Sequence, residues 1–289
     1  MGVNIQTIKD IRLYLAEELN ILYPETEIAA FAGIIARTVT GLKSMHQIYG
    51  SGIVLTEEQV EKVVIICKEL KTGKPIQYIT GETMFYDCII QVNNSVLIPR
   101  QETEELVDLI IKENGGFQGK ILDIATGSGC IAIALALNLP GSVVTATDIS
   151  RDAIATAREN AVLNRAGVIF IENDILNSVP EIGEPADLIV SNPPYVRNSE
   201  KLLMNRNVLG FEPHLALFVD DSDPLLFYRV ILEKTAEMLA PGGKVYFEIN
   251  EALGKPMEDL LRSFGLSMVQ LINDLNGRER IIKGIKNGR

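Results

Sequence analysis

Apolar positions recur at two different periods along the chain, and the change of period divides it. Ile5, Ile8, Ile11, Leu15, Leu19 and Leu22 fall three or four residues apart, the spacing that lines one face of a helix, and Ile28, Phe31, Ile35 and Val39 continue it. Val60, Val63, Val64, Cys67 and Leu70 mark a further amphipathic helix, with Thr56 and Gln59 as a capping box at its start and Gly73 and Pro75 as stop signals. These elements predict a helical domain over residues 1–74. Ile76, Tyr78, Ile79, Phe85, Ile89, Ile90 and Val92 then precede Asn93-Asn94, and Val96, Leu97 and Ile98 follow, which predicts a β-hairpin connector over 75–98 with its tight turn at the two asparagines. Over 99–289 apolar strand runs at 121–125, 143–149, 168–171, 186–191 and 244–249 alternate with helical segments at 131–137, 152–164 and 225–239. That alternation predicts an α/β domain with a largely parallel, doubly wound, Rossmann-like sheet. Two later runs, 267–272 and 280–285, flank a turn-rich segment and suit an antiparallel pair at one side.

Composition narrows the function classes. With 289 residues and 47% hydrophobic content, the chain can bury a sizeable α/β core and a smaller module beside it. A net charge of -11 argues against broad binding to nucleic acid, which rests on basic side chains displacing counterions from phosphates. Cys67, Cys88 and Cys130 are odd in number and lack CxxC spacing, so neither a disulfide framework nor a zinc knuckle is indicated. His46 and His214 stand without a second ligand nearby, and no metal is expected. Polar Asn4, Gln6, Lys9 and Asp10 interrupt the amino terminus where a signal peptide would be apolar, and the apolar run at 131–139 is too short to span a bilayer. We therefore expect a cytoplasmic monomer with no membrane segment and no direct nucleic-acid partner.

Chemistry is expected at the carboxyl ends of the parallel strands, where open α/β sheets bind ligands. The first strand carries Asp123 and runs through Ala125 into Thr126-Gly127-Ser128-Gly129. Its two glycines allow close backbone approach, but the third glycine of a dinucleotide loop is missing and an acid lies in the strand, which favours a ligand without phosphate. Asp148, about twenty residues on, is placed to accept hydrogen bonds from both hydroxyls of a ribose; alternatively it caps the next helix, a duty Ser150 and Asp152 can share. Asn173-Asp174-Ile175 follows the third strand and suits an adenine, with Ile175 packing on its face.

The most informative segment is Ser191-Asn192-Pro193-Pro194-Tyr195, directly after an apolar strand. Two prolines fix an extended backbone without amide hydrogens, so the Pro193 carbonyl and the Asn192 side-chain oxygen form a pair of acceptors. Such a pair can hold both hydrogens of a planar NH₂ group and aim its lone pair at an electrophile, with Tyr195 packing over the plane. Transfer of a methyl group from a sulfonium needs that geometry and no strong base.

Together with Gln77-Tyr78-Ile79 and Gly81, Leu97-Ile98-Pro99-Arg100 with Glu102-Thr103-Glu104, Glu212-Pro213, Pro241-Gly242-Gly243, Phe247-Glu248-Ile249, and Asp274-Leu275 with Gly277-Arg278, these motifs resemble the release-factor glutamine N5-methyltransferases, the HemK- or PrmC-like proteins, nearly end to end. The resemblance implies a helical domain that engages a peptide chain release factor and a class I methyltransferase domain that uses S-adenosylmethionine. It implies that Asp123, Ala125, Thr126, Gly127, Ser128, Gly129, Asp148, Ile149, Asp174, Ile175 and Asn192 hold the cofactor. It further implies that Asn192, Pro193, Pro194 and Tyr195 hold the glutamine of a Gly-Gly-Gln motif, with Asn192, Pro193 and Tyr195 catalytic and with Phe85 and Arg100 closing the site. Three positions depart from the family pattern: Ala125 and Asn250 where glycine is usual, and Gln101 where proline is usual. An adenine N6-methyltransferase of nucleic acid shares the acceptor pair, a ribosomal-protein glutamine methyltransferase shares the chemistry, and a non-catalytic binding protein would share the scaffold.

Overall fold

The computed structural model describes residues 4–42 and 52–288; His46 lies outside the described residues. The chain forms two compact units, Met1–Gly81 with Asn205–Phe211, and Glu82–Met204 with Glu212–Arg289.

In the first unit α1 (Ile8–Leu19), α2 (Glu25–Thr40), α3 (Glu57–Leu70) and α4 (Ile76–Thr80) pack together, and the short helix Arg206–Phe211 joins them. The stripe seen in the sequence faces inward: Ile8, Ile11, Leu15, Leu19, Ile28, Phe31, Ile35, Val39, Val63, Cys67 and Leu70 share one buried cluster. Leu22 does not join it, because α1 ends at Leu19 and leaves Leu22 exposed. Thr56 and Gln59 cap α3 reciprocally: the Gln59 amide donates to Thr56 Oγ1 at 3.2 Å and the Thr56 amide to Gln59 Oε1 at 3.0 Å. At the other end of α3 the Tyr23 hydroxyl donates to the Leu70 carbonyl at 2.7 Å.

The segment expected to pair across Asn93-Asn94 folds differently. Ile76, Tyr78 and Ile79 belong to α4, a five-residue helix that Pro75 opens and Gly81 closes at φ +80°. The hairpin is formed by β1 (Glu82–Phe85) and β2 (Cys88–Gln91), and its turn is Tyr86-Asp87, both left-handed at φ +45° and +64°. A turn of that hand matches the twist of the two strands, but tyrosine gives no sequence signal for it. Val96, Leu97 and Ile98 lie in no strand; Asn93 Oδ1 instead accepts the Ser95 amide in a local turn before α5 (Gln101–Glu113).

The second unit is built on β3 (Lys120–Ile124), β4 (Val143–Asp148), β5 (Val168–Glu172), β6 (Ala186–Ser191), β9 (Leu239–Glu248), β10 (Leu266–Asn273) and β11 (Glu279–Lys286), with a two-residue pair, β7 (Val196–Arg197) and β8 (Phe218–Val219), outside the main sheet. The main sheet has the order β10-β11-β9-β6-β3-β4-β5. Its first five strands in chain order run parallel; β11 pairs antiparallel with β9, and β10 with β11, so the late pair joins the sheet by its second strand. Helices α6 (Cys130–Asn138), α7 (Arg151–Asn164), α8 (Leu226–Met238) and α9 (Gly254–Ser263) complete the unit. Burial on both faces explains the near-continuous apolar runs of β3 and β6. Helix α5 escaped the sequence reading, although Leu106, Val107 and Ile110 are buried on one face and Glu102 and Glu104 favour the positive end of its dipole.

The open edge of β2 is covered by side chains of α7. Asn160 Oδ1 accepts the Gln91 amide at 2.7 Å, while its Nδ2 donates to the carbonyls of Gln91 and Ser128, both at 2.9 Å. Asn164 brackets Ile89 in the same way. Asn160 is fully buried and so ties the hairpin to the loop after β3 without help from solvent. Replacing Asn160 by alanine strips three backbone groups of their partner, and denaturant unfolding is expected to show a loss of about 3 kcal/mol.

Candidate functional site

From β3 the chain winds outward through β4 and β5, then returns to the other side of β3 as β6. The crevice where strand order reverses is the ligand position of open α/β sheets. Here the register sets Ile124 opposite Ser191, and the Ser191 hydroxyl donates to the Ile124 carbonyl at 2.7 Å, so the loops leaving β3 and β6 start side by side. A cavity of about 390 Å³ opens at that point, within the range of small-ligand pockets. Ala125, Thr126, Gly127, Ser128, Asp148, Ile149, Asp174, Ile175, Asn192, Pro193, Pro194 and Arg100 all line it. Asp123, Gly129, Tyr195 and Phe85 are not part of its wall.

The loop after β3 turns through three left-handed residues, Ala125 at φ +61°, Gly127 at +53° and Gly129 at +81°. A side chain on Gly129 would also meet Ala157 Cβ of α7 at 3.0 Å, so glycine is required there for helix approach as well as for conformation. Ala125 holds its conformation under strain. Under the loop, Asp123 is wholly buried and accepts the Thr126 hydroxyl at 2.6 Å. Burial pushes its carboxyl up to about 7, against the pull of the Thr126 hydroxyl and with a further push from Asp148. Asp123 Oδ1 makes no hydrogen bond of standard geometry, although the Ala132 amide in the first turn of α6 favours the ionised form.

Asp148 gathers the loops: its Oδ2 accepts the Gly127 amide and its Oδ1 the Ser150 amide, both at 2.9 Å. Burial raises its pKa while the amides of Ser150, Gly127 and Ile149 oppose the shift. Ser150 takes the capping duty on α7, accepting the Ala153 amide at 3.2 Å, so Asp148 is not spent as a cap. Asp174 is more committed, since its carboxylate accepts the Leu176 amide at 2.9 Å and the Asn177 side chain at 2.5 Å. Ile149 is half exposed, whereas Ile175 is buried in the cavity wall. Among the described residues, Ser128 Oγ and Asn173 Oδ1, both in loops of the cavity wall, and Asp123 Oδ1, buried in β3 beneath the glycine loop, are three of four buried side-chain polar atoms without a partner. Unpaired buried polar atoms are rare in folded chains, and their concentration here marks a place completed by a polar ligand.

On the opposite wall, Asn192 Nδ2 donates to Thr103 Oγ1 at 3.2 Å. Neither Asn192 Oδ1 nor the Pro193 carbonyl accepts a hydrogen bond from the described residues, which leaves an acceptor pair in the cavity wall. Tyr195 turns away from the cavity and donates to Glu248 Oε1 at 2.9 Å, and burial holds its phenol far above the ordinary range. Arg100 pairs with the buried Glu212 at 2.6 Å and forms part of the wall. Phe85 is a core residue of the hairpin. Asn250 has φ -65°, which makes no demand for glycine, and its Nδ2 donates to the Tyr195 carbonyl at 3.3 Å. Gln101 opens α5 and is exposed. Asn173 was read with the adenine segment, whereas Thr103 and Glu248 appeared only within motifs of the family resemblance and were given no role, since their partners are distant in the chain.

Among the described residues no group of histidine, cysteine and carboxylate side chains could hold a metal ion, and no helix is long and apolar enough to cross a membrane. Cys67, Cys88 and Cys130 are buried and free.

Residues 101–209 match the family model described as "Methyltransferase small domain". A release factor glutamine methyltransferase from Flavobacterium psychrophilum is 46% identical over 280 residues, which cover 96% of this chain and 98% of that protein. One from Bacteroides thetaiotaomicron is 44% identical over 272 residues, 94% of this chain and 98% of the other. Among solved structures, a methyltransferase from Pyrococcus furiosus shares the fold at a TM-score of 0.52 and 18% identity, covering 80% of this chain and all of that one.

Two predictions follow from the loop. Ala125→Gly should stabilise the protein by about 1 kcal/mol in denaturant unfolding, because glycine takes the left-handed conformation without steric cost. Asp123 has a folded pKa of about 7, above its ordinary 3.8, so the folded state binds the proton more tightly and stability falls as pH rises from about 4 to 7. The thermal midpoint of the ligand-free protein should therefore drop between pH 5 and 8 relative to that of Asp123→Asn; parallel profiles would remove the assignment.

Proposed function

The chain belongs to the release factor glutamine methyltransferases, and from that premise we propose that it transfers a methyl group from S-adenosylmethionine to the side-chain amide nitrogen, N5, of the glutamine in the Gly-Gly-Gln motif of peptide chain release factors. The observation that carries the reading is the acceptor pair of Asn192 Oδ1 and the Pro193 carbonyl, unpartnered in the wall of the cavity that the glycine loop also lines.

The residues present suit this cofactor. Asp148 has lone pairs left beyond its two amide bonds and would take the ribose hydroxyls; Ile149, Asp174 and Ile175, joined by Asn173, would take the base. Asp123, Ala125, Thr126, Gly127, Ser128 and Gly129 form the loop and its support, with an unpaired polar atom in the cavity wall on Ser128. When bound, S-adenosylmethionine supplies a methyl group on a cationic sulfur, open to attack by a nitrogen lone pair.

The protein's own part is to make a poor nucleophile usable. An amide nitrogen delocalises its lone pair into the adjacent carbonyl, and two acceptors on its two hydrogens fix the plane and favour pyramidalisation as the new N–C bond forms. Holding the nitrogen in line is worth about 7–11 kcal/mol in well-oriented intramolecular reactions. One N–H proton leaves to solvent after transfer, so no side chain with a high proton affinity is needed. Pro193 and Pro194 are buried and lack amide hydrogens, which keeps competing donors away from the acceptors. We assign recognition of the release factor to the helical domain over residues 1–74.

The test is incubation of the purified protein with S-adenosylmethionine and a recombinant release factor, followed by peptide mass spectrometry. One added methyl group on the Gly-Gly-Gln glutamine is expected. Asn192→Ala should lower kcat by about a hundredfold or more, as for loss of one transition-state hydrogen-bond partner, while the cofactor Kd stays within about threefold. An unmodified release factor, or normal turnover in Asn192→Ala, would overturn the reading.

A further inference from the structure

A primary amide side chain has an acceptor on one side and a donor on the other, in nearly the same shape, and only one orientation of Asn192 serves the reaction proposed above. With Oδ1 toward the cavity it accepts a hydrogen from the substrate NH₂. Flipped, it would present its own NH₂, donor against donor. The structure contains a group that selects between the two.

Asn192 Nδ2 donates to Thr103 Oγ1 at 3.2 Å, and Thr103 Oγ1 donates to Glu248 Oε2 at 2.6 Å. Thr103 and Glu248 are 3% and 1% exposed, so water does not rearrange the chain of bonds. A threonine hydroxyl has one hydrogen, and a carboxylate has none to give. Thr103 commits its hydrogen to Glu248 and can only accept from Asn192, which turns the asparagine NH₂ inward and its oxygen out. The other carboxylate oxygen, Glu248 Oε1, takes the Tyr195 hydroxyl at 2.9 Å, so one side chain holds the Asn192 to Tyr195 loop near both ends.

Three elements bring the parts together. Glu248 ends β9, whose register beside β6 sets Phe247 opposite Ser191, one residue before Asn192. Thr103 comes from the first turn of α5, 145 residues away in the chain. Burial raises the Glu248 pKa; the hydroxyls of Thr103 and Tyr195 and the positive charge of Arg280, one residue before the position opposite Glu248 in β11, oppose that rise and favour the carboxylate that the relay uses.

We propose that Glu248 and Thr103 form a polarity relay that fixes Asn192 with its oxygen toward the reacting amide, which makes both of them positioning residues for methyl transfer. The proposal rests on the reading of Asn192 as an amide acceptor. It requires that the Thr103 hydroxyl act through Asn192 and nothing else.

Thr103→Val keeps the shape and removes the hydroxyl. It should lower single-turnover kcat by about ten- to a hundredfold with the KM for the release factor and the cofactor Kd unchanged within threefold, and Thr103→Ser should recover most of the rate. Glu248→Gln can offer Thr103 either a donor or an acceptor, removes the selection, and should show a kcat loss of the same kind; it also serves should Thr103→Val fail to fold. In the background of Asn192→Ala, Thr103→Val should cost nothing further. Full kcat in Thr103→Val or Glu248→Gln, or a loss in the double variant that multiplies with that of Asn192→Ala, overturns the relay while the acceptor reading stands. Normal kcat in Asn192→Ala overturns the acceptor reading, and the relay with it.

Discussion

The parallel register between β3 and β6 is the constraint on which the site depends. Ile124 and Ser191 are opposite each other as the strands end, and the Ser191 hydroxyl bonded to the Ile124 carbonyl holds them there. One strand then releases the glycine loop and the other releases Asn192 and the two prolines. A slip by one residue would turn every side chain of β6 to the other face and part the acceptor pair from the loop. Burial of β3 and β6 on both sides makes such a slip costly, so the precision of the site is inherited from the core of the sheet.

The site is also where the chain tolerates what it avoids elsewhere. Ala125 occupies a conformation suited to glycine, Asp123 keeps a carboxyl in the interior with one oxygen unpaired, and the Pro193 carbonyl lacks a partner among the described residues. Each costs the protein stability, and the last is one that a planar NH₂ group in the cavity can relieve. Stabilising bonds brace the cavity wall, in the amides gathered by Asp148 and the Arg100–Glu212 pair, and behind it, in the asparagine brackets of α7. Strained and unpaired groups are thus gathered in and directly beneath the cavity wall, held by satisfied neighbours.

Legibility in the sequence followed the range of the forces. The central strands β3 and β6 announced themselves as apolar runs because they are buried on both faces, and the amino-terminal helices by the spacing of Ile8, Ile11, Leu15 and Leu19. The glycine loop and Asn192 to Tyr195 were legible because glycine and proline restrict the backbone locally, whatever surrounds them. Where a conformation is set by context, the reading failed. Tyr86 takes a left-handed turn that its residue type does not signal, while Asn93-Asn94, which does suggest a turn, makes one outside the hairpin. Tyr195 was expected over the substrate plane, and its hydroxyl instead reaches Glu248. Thr103 and Glu248 stood out only as parts of motifs, and no role could be read for them, since their meaning lies in a bond across 145 residues.

An acceptor pair recognises a planar NH₂ group and little else, so it cannot by itself separate an amide from the amino group of an adenine. The cavity sets the reaction, and selection among molecules that carry such a group has to come from surfaces that meet the rest of the substrate. A nucleic acid would bring a phosphate on every nucleotide, and a chain with a net charge of -11 repels that backbone unless basic residues are concentrated where it lies. A protein loop brings no such charge and can present a single glutamine at the end of a flexible side chain. The acidic composition disfavours the first substrate class and costs nothing with the second, so on the reading proposed above the choice among carriers of a planar NH₂ group falls to the charge of the chain and to the helical domain rather than to the reacting groups.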